Sequence, residues 1–279
     1  MKKTLSVILA TLMLLGMFAV STSAFSRPDF PLTEINETAT AELLAFPAPV
    51  SAQDEGGDTF SADLKAFQTE AIDLANQKLF ASQAGVILTE LQFIPTAYKD
   101  GKTLPDFAAA ATALDISNSP ESKAIDAFLA NETERRADHA NGSLKNKLIS
   151  LYIIAVDQRI AVLENLAKEF FTADALAYAA ANSAYYQLNV TLSNANLTQK
   201  EYNEISKIMN LIVSPFVVSR ISTELQNGNF KEAAKLVNDI VSEMEKVFAD
   251  YGIGAARPSF WQKLWNFILK WIFFGWIWM

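Results

Sequence analysis

From Ser61 onward, apolar residues recur at every third or fourth position, the spacing that lines one face of a 3.6-residue helix. Leu64, Phe67, Ala71, Leu74, Ala75, Leu88 and Leu91 mark a first long helix ending before Pro95. Pro105 opens a short alanine-rich helix to about Leu114. Ser119-Pro120 reads as an N-cap followed by proline at the first helical position, starting a helix to about Ala140. Asn141-Gly142 breaks it.

Leu144, Leu148, Leu151, Tyr152, Ala155, Val162, Leu163, Leu166 and Phe170 then fall on one face of a long helix. Thr172 can cap the next, from Ala175 to Ser193, and Thr198-Gln-Lys-Glu201 is a capping box opening another. That helix carries Tyr202, Ile205, Met209, Ile212, Val213 and Phe216, and Pro215 should kink or break it. Asn227-Gly228-Asn229 is a turn into an amphipathic helix with Phe230, Ala233, Ala234, Val237, Ile240, Val241, Met244 and Phe248, stopped by Gly252 and Gly254. Its start, Gly228 to Ala234, resembles the second-helix start of a tetratricopeptide repeat. No second copy lies one repeat length away, so the match reads as an ordinary turn entering a helix.

No stretch alternates apolar and polar residues as a strand would. Residues 61–254 therefore predict an all-α domain, an antiparallel bundle of about six or seven helices. Both ends depart from that pattern. Lys2 and Lys3, the uncharged apolar run Leu5–Val20 and the small residues Thr22-Ser23-Ala24 predict a signal peptide over 1–24, cleaved after Ala24. Residues 25–60 contain Pro28, Pro31, Pro47 and Pro49 and many carboxylates against Arg27 alone, which predicts a disordered acidic linker. Within it, Asp54-Glu-Gly-Gly-Asp58 lacks the ligand spacing of a calcium loop.

The segment 258–279 is the most unusual. All five tryptophans of the chain lie here, at 261, 265, 271, 276 and 278, joined by Phe260, Phe267, Phe273 and Phe274. It has no Asp or Glu, only Lys263 and Lys270 after Arg257. Ser259, Gln262, Lys263, Asn266 and Lys270 share one helical face, with Trp261, Leu264, Trp265, Ile268 and Leu269 largely opposite; from Trp271 onward the polar stripe ends. This predicts an amphipathic helix in a membrane interface, its lysines towards head groups and Trp271, Phe273, Phe274, Trp276 and Trp278 deeper. Tryptophan favours that zone because its ring is apolar while its N–H needs a polar partner.

Twenty helical residues reach about 30 Å, just enough to cross a bilayer. A lysine near the centre costs roughly 2.5–3.5 kcal/mol, so lying on the surface or inserting partly is the better reading. Docking in a partner's groove and folding back on the chain's own helices are the alternatives.

Composition narrows the chemistry. The 279 residues carry a net charge of −8, one histidine and no cysteine. The absence of cysteine excludes disulfides, thiolate metal sites and cysteine nucleophiles, and the acidic balance argues against general nucleic-acid binding. A single imidazole excludes the paired Glu-x-x-His motifs of di-metal bundles, and no nucleophile elbow or phosphate loop occurs. Ser119 is better used as a cap than as a partner of Lys123. In Asn131-Glu-Thr-Glu-Arg-Arg-Ala-Asp-His139, Glu132 and Arg136 are i, i+4 partners, and any metal or acid–base site would involve His139. A solvated, ion-paired helix face is the simpler reading. Tyr178, Tyr185, Tyr186, Phe170 and Phe171 could line a groove but fit bundle packing better.

The expectation is a non-enzymatic, exported bacterial protein with no cofactor. Its helical domain would act in display, scaffolding or partner binding at a membrane or envelope surface, held by lipid contact through 260–279, with a protein at the cell surface as the other expected partner. Two other readings stand beside it: a membrane-perturbing protein whose segment inserts into a target bilayer, and a ligand-binding or catalytic bundle using the His139 region.

Overall fold

The computed structural model describes Phe46, residues 59–195 and residues 197–253. The signal segment 1–24, the rest of 25–58 and residues 258–279 lie outside the described residues. What is described is all-α: 83% of it is helical and it contains no strand. There are ten α-helical segments among these residues, more than the six or seven expected, because local caps split two long periodic stretches and Pro215 splits a third.

The first stretch divides after α1 (Phe60–Phe80). Ser82 adopts an extended backbone and its hydroxyl donates to the Leu79 carbonyl (2.6 Å) while accepting from the Gly85 amide (3.2 Å), so a new helix, α2 (Gln83–Thr89), starts at once. The turn is so tight that a Cβ on Gly85 would stand 2.4 Å from the Leu79 carbonyl oxygen. Two single 3-10 turns follow, then α3 (Leu104–Thr112), entered through the capping box of Thr103 and Asp106.

Pro120 starts α4 (Pro120–Ala130) behind the predicted Ser119 cap. The helix does not continue to Ala140. Asn131 leaves helical geometry and its side-chain oxygen accepts from the Glu134 amide, opening α5 (Glu132–Ala140). Periodicity alone missed both breaks, because a cap residue changes the direction of the chain without disturbing the hydrophobic count.

The longest helix, α6 (Leu144–Phe170), follows Gly142, which takes a positive φ of 77°. Lys99 and Lys102 donate to the Lys168 and Glu169 carbonyls at its end (2.8 Å each), satisfying acceptors that a helix C-terminus leaves open. α7 (Ala173–Ser193) begins with Thr172 accepting from the Ala175 amide. The remaining elements are α8 (Gln199–Ile212), α9 (Pro215–Gln226) and α10 (Phe230–Asp250), with the Thr198–Glu201 capping box and the Pro215 break where the sequence put them.

The chain divides into two compact units, with the boundary between Leu176 and Ala177 inside α7. In the unit up to Leu176, α1 packs along α6. Asp63 meets His139 just ahead of α6, Glu70 meets Lys145, Gln68 meets Tyr152, and Lys78 meets Asp157 near the far end. From Asp63–His139 through Glu70–Lys145 to Lys78–Asp157 the ion pairs advance along both helices in the same direction. This pair is therefore parallel, not antiparallel as short connections would dictate, and residues 81–143 form the return path. Leu64, Ala71, Ala75 and Leu79 of α1 and Leu148, Tyr152, Val156 and Leu163 of α6 are buried.

In the unit from Ala177, α9 and α10 form a hairpin about Asn227-Gly228, where Gly228 has φ 74°. Arg220 bonds Glu232 (3.1 Å) across it, and α10 buries Ala233, Val237, Ile240, Met244 and Phe248 on one face.

Two of the described residues that fall in the expected linker are buried. Phe46 is buried, its ring edge-on to Tyr152 with centroids 4.9 Å apart. Phe60, also assigned to the linker, is the buried first residue of α1. Scattered prolines and carboxylates signal weak local structure but do not show which aromatic finds a tertiary partner.

Candidate functional site

The residues expected at a membrane interface, Trp261 through Trp278, lie outside the described residues. Three other places can be described: the His139 region, a buried arginine, and the aromatics around the end of α6.

His139 is in the last turn of α5, a helix with no buried residue, so its side chains mainly decorate the surface. Glu132 Oε1 accepts from Arg136 Nε (2.7 Å), the i, i+4 ion pair read from the sequence, and this holds the Glu132 carboxyl below its ordinary range. His139 Nε2 lies 2.9 Å from Asp63 Oδ2 of α1, and its ring meets Phe60 edge-on at 5.4 Å. The Arg136 guanidinium covers the Phe60 ring at 4.5 Å. A carboxylate from another helix thus does reach the imidazole, but the two partners hold α5 against the start of α1. Among the described residues, no group of three or more His, Asp and Glu side chains is placed to hold a metal ion.

Sequence reasoning missed the buried arginine. Arg159 sits on α6 one helical turn beyond Ala155, in register with the apolar face, and only 5% of it is exposed. Its guanidinium carbon lies 3.8 Å from the centroid of the Phe46 ring, and Nη2 points to Ser122 Oγ of α4 at 3.4 Å. Ser122 in turn donates to the Ile116 carbonyl (3.0 Å). Beside it, buried Gln68 donates to the Tyr152 hydroxyl (2.8 Å). Burial lowers the Arg159 pKa to about 10, and burial likewise raises the Tyr152 phenol, opposed by its bond to Gln68. The signal was present: an arginine in phase with Tyr152, Ala155 and Val156 along the buried stripe is out of place on a solvated face.

This cluster binds elements together. It joins α1, α4, α6 and Phe46 with a positive charge spread over an aromatic face, which a lysine could not reproduce with the same planar contact.

The aromatics around the end of α6 fill the core. Phe107 meets Phe170 and Phe171 edge-on (5.6 and 5.1 Å), Tyr98 covers Phe171 at 4.6 Å, and the Tyr98 hydroxyl donates to the Gln92 carbonyl. Tyr178 and Tyr185 are buried on α7. Ser119 accepts from the Ser122 amide (3.1 Å) as a cap.

Among the described residues no single helix is long and apolar enough to cross a membrane; α8 and α9 taken together pass that test of length and composition, but are bent by 44° at their junction. Comparison with protein-family models, curated proteins and solved structures finds no match.

Proposed function

We propose that the chain is an exported, non-enzymatic bacterial protein whose helical region is attached to a membrane or envelope surface through residues 260–279. There it acts by display, scaffolding or partner binding. The observation that carries this reading is the placement of all five tryptophans between 261 and 278, interleaved with Lys263 and Lys270 and with no acidic residue from 260 on. In a chain whose net charge is −8, a cation-only aromatic segment is the part suited to an anionic lipid surface.

Attachment is thermodynamically reasonable at this size. Each fully buried Trp, Phe, Leu or Ile side chain contributes about 1.5–3 kcal/mol, so a few insertions reach micromolar partition. Fractionation of cells producing the chain with and without residues 260–279 tests it. The whole chain should accompany the membrane and the shortened chain should be released. A shortened chain that stays with the membrane contradicts the proposal. Dye leakage from vesicles separates quiet attachment from bilayer disruption, since an anchor alone releases little dye.

A further inference from the structure

The bend between α8 and α9 leaves two large apolar side chains outside. Leu211 is 78% exposed and Phe216 77%, whereas the other large hydrophobics exposed among the described residues, Phe80, Ile154 and Tyr202, are only 38–44% exposed. Isolated exposed apolar residues are ordinary on any surface; two this prominent stand five positions apart, one on each side of the bend, and mark it as the tip. The break there is made by the backbone itself. Val213 closes α8 onto the Met209 carbonyl, Ser214 is extended, and Pro215, which has no amide hydrogen, starts α9.

Charge indicates what the tip meets. From Ile205 to Thr223 there is no acidic residue, and Lys207 and Arg220 flank the apolar stretch. Lys207 is exposed, whereas Arg220 is paired with Glu232 of α10 at 3.1 Å. Glu204 and Glu224 mark the edges of this acid-free window. An exposed apolar pair beside Lys207, in a helix pair that passes a membrane-segment test by length and composition, suits the interface of an anionic bilayer.

We infer that Leu211 and Phe216 insert into the lipid surface as a second contact. This rests on the proposed attachment through 260–279. Two side chains alone bury too little to hold the protein, so they act on a chain already at the membrane, tightening its hold and fixing its orientation.

The chain has no cysteine, so a single one can be introduced and labelled selectively. An environment-sensitive nitrobenzoxadiazole dye is placed in the full chain at Asn210→Cys, beside Leu211, or at Asn238→Cys, exposed on α10. Both forms are mixed with phosphatidylcholine–phosphatidylglycerol vesicles carrying a lipid-bound quencher. The dye at 210 should shift to the blue and be quenched at least about twofold more than at 238. Leu211→Ser/Phe216→Ser, unaltered in helix content, should partition about tenfold less well.

If the protein sediments with vesicles but the dye at 210 stays in water, the inference is overturned and attachment through 260–279 survives. If the protein does not sediment at all, both fall. A dye at 210 already shielded without lipid, in a protein whose size grows with concentration, overturns the inference in favour of a second copy covering the tip.

Discussion

Replacing Phe46 by alanine removes a ring that lies edge-on to Tyr152 at 4.9 Å and 3.8 Å from the Arg159 guanidinium carbon. Three contributions are lost together. Burying a phenylalanine side chain contributes about 2–3 kcal/mol. The aromatic pair adds roughly 0.5–1.5 kcal/mol and the cation–π contact about 0.5–2 kcal/mol. Water entering beside Arg159 solvates the charge and returns part of the last amount. The expected loss is therefore about 3–4 kcal/mol, within the range typical of Phe→Ala in cores. Phe46→Leu, which keeps apolar burial but loses both ring interactions, should cost about 1–2 kcal/mol. Because the chain has two compact units, one global melt would mix their transitions; amide hydrogen exchange over 148–162 of α6 reports on the right one. If Phe46→Ala changes the opening free energy there by less than about 0.5 kcal/mol, Phe46 does not dock, and the original linker expectation stands for that residue too.

Other consequences follow from single residues. Gly85→Ala should destabilise the first unit by roughly 2–4 kcal/mol in urea unfolding, since its methyl would strike the Leu79 and Phe80 carbonyl oxygens; an unchanged midpoint would mean the turn between α1 and α2 is wider than described. Burial holds the Glu164 carboxyl above its ordinary 4.5, opposed by a bond to the Ala84 backbone and by Lys168. Just above that pH the folded chain keeps a proton that the unfolded chain releases, so this group's contribution to stability declines as pH rises through the window. Glu164→Gln, which can still accept from the backbone, should be more stable than the parent at pH 7 and equal to it below about 4.5; a variant less stable at neutral pH refutes the assignment. His139→Ala should cost less than about 1 kcal/mol, as its bond to Asp63 is partly solvated. Should that substitution instead abolish a ligand-binding or turnover signal, the catalytic alternative gains what the geometry does not supply.

The fold class was legible because helix periodicity and cap chemistry agree along most of the chain. Ser119-Pro120, Thr198–Glu201, Pro215 and Asn227-Gly228 each act locally, and each stands where the structure has it. The interruptions at Ser82 and Asn131 were hidden because hydrophobic periodicity runs through them, and only the side chain turning back onto its own backbone breaks the helix. The parallel course of α1 and α6 is a tertiary fact, fixed by pairs such as Glu70–Lys145 that lie far apart in sequence. Arg159 differs: its phase on α6, in step with Tyr152, Ala155 and Val156, carries the signal of burial, and only its charge points away from the core. Around His139 the sequence read the Glu132–Arg136 pair correctly but could not supply Asp63, which comes from another helix.

The central claim is that residues 260–279 hold the protein to lipid. Vesicle co-sedimentation of residues 25–279 beside 25–258, with neutral and with anionic lipid, tests it most directly. The longer chain should sediment with vesicles, more strongly with anionic lipid because Lys263 and Lys270 favour that surface, while the shorter chain stays in solution. If neither chain sediments, the aromatic segment is a docking element for protein and the claim is contradicted.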